Sequence, residues 1–268
     1  MNSYWENEYQ DYISFPDFLK SQPIPFKKIP PYLFRMSSIP INEFVPELVH
    51  VLKESHRLNP DYIQVYLDDN DCDNFMKHYF PFFLKDYRNV IPGAYRSDIV
   101  RLGLLFEYGG VYNDIGHVYQ QSLSSIIPKE IDFVLTNERF DSQKGIHNAF
   151  MASIPKNPIV YEMLDHIMDN VKHKRYNDST LDITGPALLT SFRNMFYFDF
   201  KQGTQGIIPL QYRNKVYQTL FFILGNNEIS YANTTLLKTK FDNYIQVVYK
   251  NVLHYDTLWK LKQVYHIH

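Results

Sequence analysis

Apolar positions recur along this chain in two rhythms, one that suits half-buried strands and one that suits helices. Ile29–Met36 (IPPYLFRM), Tyr62–Leu67 and Ile131–Asn137 read as core strands, and Ile146–Ser153 as another, reached through Gly145. Phe44–Leu58 follows Asn42 and carries Phe44, Leu48, Val49, Val51, Leu52 and Leu58, the pattern of an amphipathic helix. Asn59-Pro60 stops it. Asp68 and Asp69 read as turn and capping residues, and Asp71 as the cap of a helix over Cys72–Tyr79. Asn157-Pro158 opens a helix to Lys172 with Ile159, Val160, Met163, Leu164, Ile167, Met168 and Val171 on one face. Ile183-Thr184-Gly185-Pro186 begins a helix that runs to Phe196, and Phe221–Leu224 and Tyr244–Tyr249 are further strand candidates.

The densest stretch is Tyr95–His117. Pro92-Gly93 reads as a loop leading into it. Ser97–Phe106 is almost continuously apolar except for Asp98, Arg101 and Gly103, and predicts a buried helix with Ser97 as N-cap. Gly109-Gly110 ends that helix, and Val111-Tyr112 forms a short strand that delivers Asp114 to its carboxyl end. In open α/β sheets that edge is where ligands bind.

Composition narrows the class. The 268 residues, 45% hydrophobic, suit one domain with a sizeable core, which we divide into an N-terminal extension over 1–28 and a single domain over 29–268. Pro16, Pro23 and Pro25 make a regular helix unlikely in the extension. A formal net charge of -2 argues against a nucleic-acid binder. The single cysteine, Cys72, excludes an intramolecular disulfide or a multi-cysteine metal site, and in its charged stretch it reads as incidental. The N-terminus lacks the pattern of a signal peptide, and no apolar run approaches the ~18 residues of a membrane span. The expectation is therefore a soluble, cytoplasmic-like protein without a membrane span.

The central stretch also resembles the core of the DxD-type sugar-nucleotide glycosyltransferases, the group of the initiating α-1,6-mannosyltransferases and the clostridial glucosylating toxins. Their pattern is S-D-x-x-R, a helix, G-G-x-Y, then D-x-D. Ser97, Asp98, Arg101, Gly109, Gly110, Tyr112 and Asp114 match it, whereas Gly116 stands where the second aspartate belongs. The resemblance extends over residues 29–200, including the H-N-A-F segment at His147 and the T-G-P turn at Thr184. Near the end, His254 and Trp259 keep the spacing of the family's H-x-x-x-S-W, with Leu258 replacing the serine.

The resemblance implies an α/β fold of the GT-A type, a Rossmann-like central mixed sheet flanked by helices. It implies transfer of a hexosyl group, with retention, from a nucleotide-diphosphate sugar to a hydroxyl of a glycan or protein acceptor. A UDP-sugar is favoured over a GDP-sugar. Asp98, Arg101, Asp114 and Asn148 are the implied catalytic residues, and Asp98, Arg101, Tyr112, Asp114 and Trp259 the donor-binding set. Asp114 and His254 are the implied ligands of a divalent cation, Mn2+ or Mg2+, which would neutralise the leaving diphosphate.

Gly116 leaves three readings open. Asp114, His254 and the diphosphate hold a metal; or cations such as His117, Lys260 or Lys262 replace it; or the site binds a nucleotide sugar or glycan without turning it over. Two residue-level alternatives also stay open. Asp98 and Arg101, one helical turn apart, form either an intrahelical ion pair or a sugar- and phosphate-binding pair. Thr184 either shapes the cleft or caps a helix.

Overall fold

A computed structural model of the chain describes residues 12–14, 18, 28–138, 145–190, 204–244 and 253–266. Its elements in chain order are β1 (Tyr12–Ser14), β2 (Tyr32–Met36), α1 (Pro46–Leu58), β3 (Ile63–Leu67), α2 (Asp69–Tyr79), α3 (Leu84–Asn89) and α4 (Gly93–Tyr108). There follow β4 (Gly110–Asn113), β5 (Val118–Tyr119), α5 (Leu123–Ile126), β6 (Phe133–Glu138), β7 (Ile146–Ser153), α6 (Pro158–Lys172) and α7 (Pro186–Thr190). The last are β8 (Gly206–Tyr212), β9 (Lys215–Gly225), β10 (Glu228–Tyr231), β11 (Thr234–Lys238) and α8 (Tyr255–Lys260).

The described strands form one mixed sheet in the order β1-β3-β2-β4-β7-β6-β9-β10-β11-β5, with β8 added to β9. β1, β3, β2 and β4 run parallel, and β7 returns antiparallel to β4 and β6. The parallel half sends Met36, Leu67 and Asn113 to one edge, and Asp114 follows directly after Asn113. This is the α/β arrangement with a mixed, helix-flanked sheet that the resemblance implies.

Helix α4 crosses the sheet with apolar side chains on all sides, among them Ile99, Val100, Leu102, Leu104 and Leu105, as a helix enclosed by core must. It packs into the larger core with α2, α6 and one face of the strands. A second cluster, around Leu33, Val111, Phe150 and Phe222, fills the opposite face beneath α5. Gly109 ends α4 at φ +68°, and a Cβ there would lie 2.6 Å from the nitrogen of Pro155. Glycine is required both for that backbone angle and for that close approach.

Several boundaries differ from the sequence reading. Helix α4 starts at Gly93, upstream of Ser97, with extended Pro92 as N-cap; the Pro92 carbonyl accepts from the N–H groups of Tyr95 and Arg96. Proline suits that position because the N–H it lacks has no role there. Helix α1 begins at Pro46 rather than Phe44 for the same reason, preceded by a 3-10 turn over Ile41–Glu43. Asp68, not Asp71, caps α2: its carboxylate accepts from the Asp71 N–H at 2.9 Å, and the Asp71 side chain accepts in return from the Asp68 N–H.

Cys72 is not in an incidental surface position but buried against Met36, 3.5 Å from its sulfur. Residues of the N-terminal stretch take part in the sheet: β1 pairs with β3, and Phe18 is buried edge-on against Tyr32, Phe34 and Tyr108. The continuation of the α7 helix to Phe196 lies outside the described residues, as does the Tyr244–Tyr249 strand beyond Tyr244.

Candidate functional site

Two cavities open along the sheet edge after β2, β3 and β4, and they meet at Arg101, Asp114 and Tyr244. The first, about 490 Å³, lies between Met36–Ser38, Asp69, the start of α4 and Leu258. The second, about 530 Å³, is bounded by Asp98, His117, His147, Asn148, Gly185, Lys240 and His254.

A buried polar cluster lies where they join. Asp98 sits on the α4 face that meets β7 and the turn before α7. Its Oδ1 accepts from Asn148 Nδ2 at 2.8 Å and stands 3.3 Å from Arg101 Nη2, while its Oδ2 accepts from Thr184 Oγ1 at 2.7 Å. Arg101 donates Nη1 to the Asn148 carbonyl at 2.8 Å and places Nη2 3.4 Å from Asp114 Oδ1. Its guanidinium lies over the Tyr112 ring at 4.6 Å, and the Tyr112 hydroxyl donates to Asp114 Oδ1 at 2.9 Å. The Asp114 N–H is anchored on the Ala149 carbonyl at 2.9 Å. Helix α4 and the strand after it thus meet β7 and the turn before α7 in one ion network, and Asp114, 32% exposed at the side chain, is its face to the cavities.

Burial sets the charge states. It pushes the Asp98 carboxyl up to about 6, against the pull of Arg101 and Thr184. Burial also opposes ionisation of Asp114, but Arg101, His117, Tyr112 and His147 together outweigh it and hold the carboxyl below its ordinary value. Burial works against the charge of Arg101 as well, and the surrounding Tyr112, Asp114 and Asp98 more than offset it. The cluster therefore presents a fixed cation and one accessible carboxylate to whatever enters.

The structure brings together Asp98, Arg101, Tyr112, Asp114 and Asn148 from the sequence reading. It separates Trp259: the indole Nε1 donates to the Tyr176 carbonyl at 2.9 Å and the ring packs on the main core, away from both cavities. His254 reaches the second cavity, but its Nδ1 accepts from the Asp256 N–H at 3.3 Å as the N-cap of α8. Asp98 and Arg101 form the intrahelical ion pair, and both border the second cavity. Thr184 binds Asp98 instead of capping α7.

His117 is not a surface cation. It is 1% exposed, and burial pushes its pKa down to about 3, so the ring is neutral near pH 7. His147, stacked on it at 6.2 Å, is pushed down to about 4 by the same burial. Lys260 pairs with Asp256 at 2.6 Å, and Lys262 lies over the rings of Tyr176 and Trp259. None of His117, Lys260 and Lys262 supplies a cation to the cluster.

Tyr244, which borders both cavities, escaped the sequence reading of the site. Nothing in its local sequence marks it, because its neighbour in space is Gly116.

The sequence pattern described as glycosyltransferase sugar-binding region containing DXD motif matches residues 46–140. That segment holds α1, α4, Asp98, Arg101 and Asp114. Over that third of its length the chain is similar to the DXD-type glycosyltransferases. A mannosyl phosphorylinositol ceramide synthase of Saccharomyces cerevisiae is 28% identical to this chain over 138 residues, 50% of the chain and 34% of the relative. A second such synthase of that yeast is 25% identical over 191 residues, 70% of the chain and 48% of the relative. Inositol phosphoceramide mannosyltransferase 2 of Schizosaccharomyces pombe is 27% identical over 115 residues, 43% and 32% of the two chains. The chain spans less than half the length of each of these relatives.

Among solved structures, the PaToxG glycosyltransferase superposes with a TM-score of 0.50 at 19% identity, over 63% of this chain and 70% of that one. That likeness shows the fold, a GT-A-like arrangement.

One expectation is overturned here. The relatives are named for a ceramide, a membrane lipid, which does not support a soluble, cytoplasmic-like protein. Among the described residues no helix is long and apolar enough to cross a membrane.

Proposed function

We propose that this chain is a glycosyltransferase that transfers a hexosyl group from a nucleotide-diphosphate sugar to an acceptor hydroxyl. The observation that carries the reading is the Asp98–Arg101–Asp114–Asn148 network at the junction of the two cavities. The nucleoside occupies the cavity beside Met36–Ser38 and the start of α4, and the sugar lies beside Asp98 and Asn148. The diphosphate crosses the junction next to Arg101, whose charge opposes that of the leaving group. The relatives' names favour a mannosyl group and an inositol phosphoceramide acceptor over the glycan or protein acceptor expected from the sequence, and a GDP-sugar stands beside a UDP-sugar as the donor. We retain residues 29–268 as one domain, to which the N-terminal stretch adds strand β1 and the buried Phe18.

A divalent cation fits this site only as a partner of the donor. Among the described residues no group of three or more histidine, cysteine, aspartate or glutamate side chains is placed to hold one. Hard cations at phosphates are often held by one or two carboxylates, with the phosphates and water completing the shell. Asp114, with His254 beside the same cavity, would be its protein contacts, and the cation would neutralise diphosphate charge. Arg101 and Tyr112 fix the Asp114 carboxylate for that role or for binding donor hydroxyls directly.

Retention is part of the proposal. Inversion needs a general base beside the acceptor. Asp98 is tied up by three partners, and His117 and His147, with pKa values of about 3 and 4, are feeble proton acceptors near neutral pH. The loss of the second aspartate favours a second reading, a catalytically silent donor-binding protein.

Incubation with GDP-mannose or UDP-glucose and inositol phosphoceramide, with NMR of the product, tests the proposal. Sugar transfer with the anomeric configuration kept supports it. An inverted product removes retention, and tight donor binding without transfer or donor hydrolysis establishes the silent reading.

A further inference from the structure

Gly116 stands where the family places a second carboxylate, and its space is taken. A Cβ built on Gly116 would lie 2.3 Å from Cε2 and 2.6 Å from Cδ2 of the Tyr244 ring. Real Cβ atoms do not approach so closely, so any side chain at 116 and this ring position exclude each other. Gly116 shows no positive φ, so the need for glycine lies in the ring and not in the backbone. Phe241 meets Tyr244 edge-on at 5.5 Å, and both pack against the cluster of Phe44, Tyr66 and Ile115, which holds the ring from behind.

The other side of Tyr244 faces the site. It borders both cavities at their junction together with Arg101 and Asp114.

We propose that Tyr244 is a positioning residue that takes the place of the missing second carboxylate. Its ring fills the space over Gly116, and its hydroxyl donates a hydrogen bond to a diphosphate oxygen at the junction. A carboxylate there would hold the diphosphate only through a cation; a neutral phenol beside Arg101 contacts it directly. The consequence is donor binding that depends little on divalent metal. The inference rests on the donor-site reading above, because it presumes that a diphosphate crosses the junction.

The test is calorimetric titration of UDP and GDP into the wild type, Tyr244→Phe and Gly116→Asp/Tyr244→Ala, each in EDTA and in Mn2+. The wild type is expected to bind one of the two in EDTA, with little gain from Mn2+. Tyr244→Phe keeps the ring and is expected to keep the wild-type Tm while binding about tenfold more weakly, the size of one hydrogen bond to a charged group. The double variant restores a carboxylate with room for it, and is expected to bind at least about tenfold more tightly with Mn2+ than without. Unchanged binding by Tyr244→Phe, or wild-type binding that vanishes in EDTA, overturns the inference while leaving the donor site intact.

Failure of the wild type to bind either nucleotide in either buffer overturns both. The packing is then judged separately, by melting. Gly116→Ala is expected to lower Tm, and Tyr244→Ala in that background to restore part of the loss. Absence of that coupling removes the ring from Gly116 altogether.

Discussion

Thr184 donates its hydroxyl to Oδ2 of Asp98 at 2.7 Å, joining the turn before α7 to the middle of α4 across 86 positions of sequence. Both residues are buried. Thr184→Val keeps the shape and removes the donor, leaving one carboxylate oxygen without its partner. A loss of ~1–3 kcal/mol is expected in denaturant unfolding, and Thr184→Ser is expected to recover most of it. A cap-only role for Thr184 would leave donor binding untouched; the present account predicts that Thr184→Val weakens it.

Arg101 is the cation around which the cluster is charge-balanced. Arg101→Ala leaves Asp98 buried without its counter-ion, and a cost of ~3–5 kcal/mol follows for breaking one side of a buried pair. Arg101→Lys keeps the charge but not the planar fork that reaches Asn148, Asp98 and Asp114 together. It is expected to fold, with donor binding reduced at least about tenfold by the loss of one hydrogen bond to a charged group. Circular dichroism and calorimetry of the two variants check this.

The pH dependence follows from Asp98, whose pKa burial raises from 3.8 to about 6. Between those values the unfolded chain has released a proton that the folded protein keeps. Raising the pH through that window therefore costs stability, and the cost is complete above about 6. Asp98→Asn cannot ionise, so its Tm relative to the wild type is expected to rise as pH goes from acid to neutral. The buried neutral rings of His117 and His147 act with the opposite sign, but both proteins carry them, so they cancel in the difference. Donor binding, which needs the ionised carboxylate to hold Asn148 and Thr184, is expected to weaken as pH falls below about 6.

Gly109→Ala tests the joint between α4 and β4. The new methyl group meets φ +68° and the backbone of Ser153 and Pro155 at 2.7 Å and 2.6 Å. Alanine at such an angle destabilises by more than the ~0.4–1 kcal/mol that it gains where the angle is compatible. A lowered Tm is expected, and an unchanged one would show that the joint is laxer than described.

These residues also show what was legible in advance. Asn157-Pro158 marked the start of α6 because the cap and the first helical position are chosen by local chemistry: Asn157 Oδ1 accepts from the Ile159 N–H at 3.0 Å. Strand β7 was legible end to end because it lies in the core between two neighbours. β8 was not, since Pro209 interrupts its pattern; among the described residues β8 pairs with β9 alone, the edge position in which proline is tolerated. β10 and β11 were missed as well. They are short, with many exposed positions and a register shift at Ile229/Ser230, which blurs any alternation.

In the site, Asp98, Arg101 and Asp114 were legible through the family motif they resemble, whose spacing holds because one helix and the strand after it fix their relation. Thr184 was left between two roles, and Tyr244 was invisible, because their partners are set by the tertiary fold. Trp259 kept its spacing but turned to Tyr176, since six residues of helix decide which way a side chain on α8 points.

The central claim is that the Asp98–Arg101–Asp114–Asn148 network binds a nucleotide sugar. The direct measurement is titration of GDP-mannose and UDP-glucose into the wild type and into Asp114→Asn, with the Tm of both proteins recorded. Saturable binding of one donor by the wild type, reduced at least about tenfold in a variant of unchanged Tm, is the predicted result. Binding of neither donor by the folded wild type, or equal binding by Asp114→Asn, would contradict it.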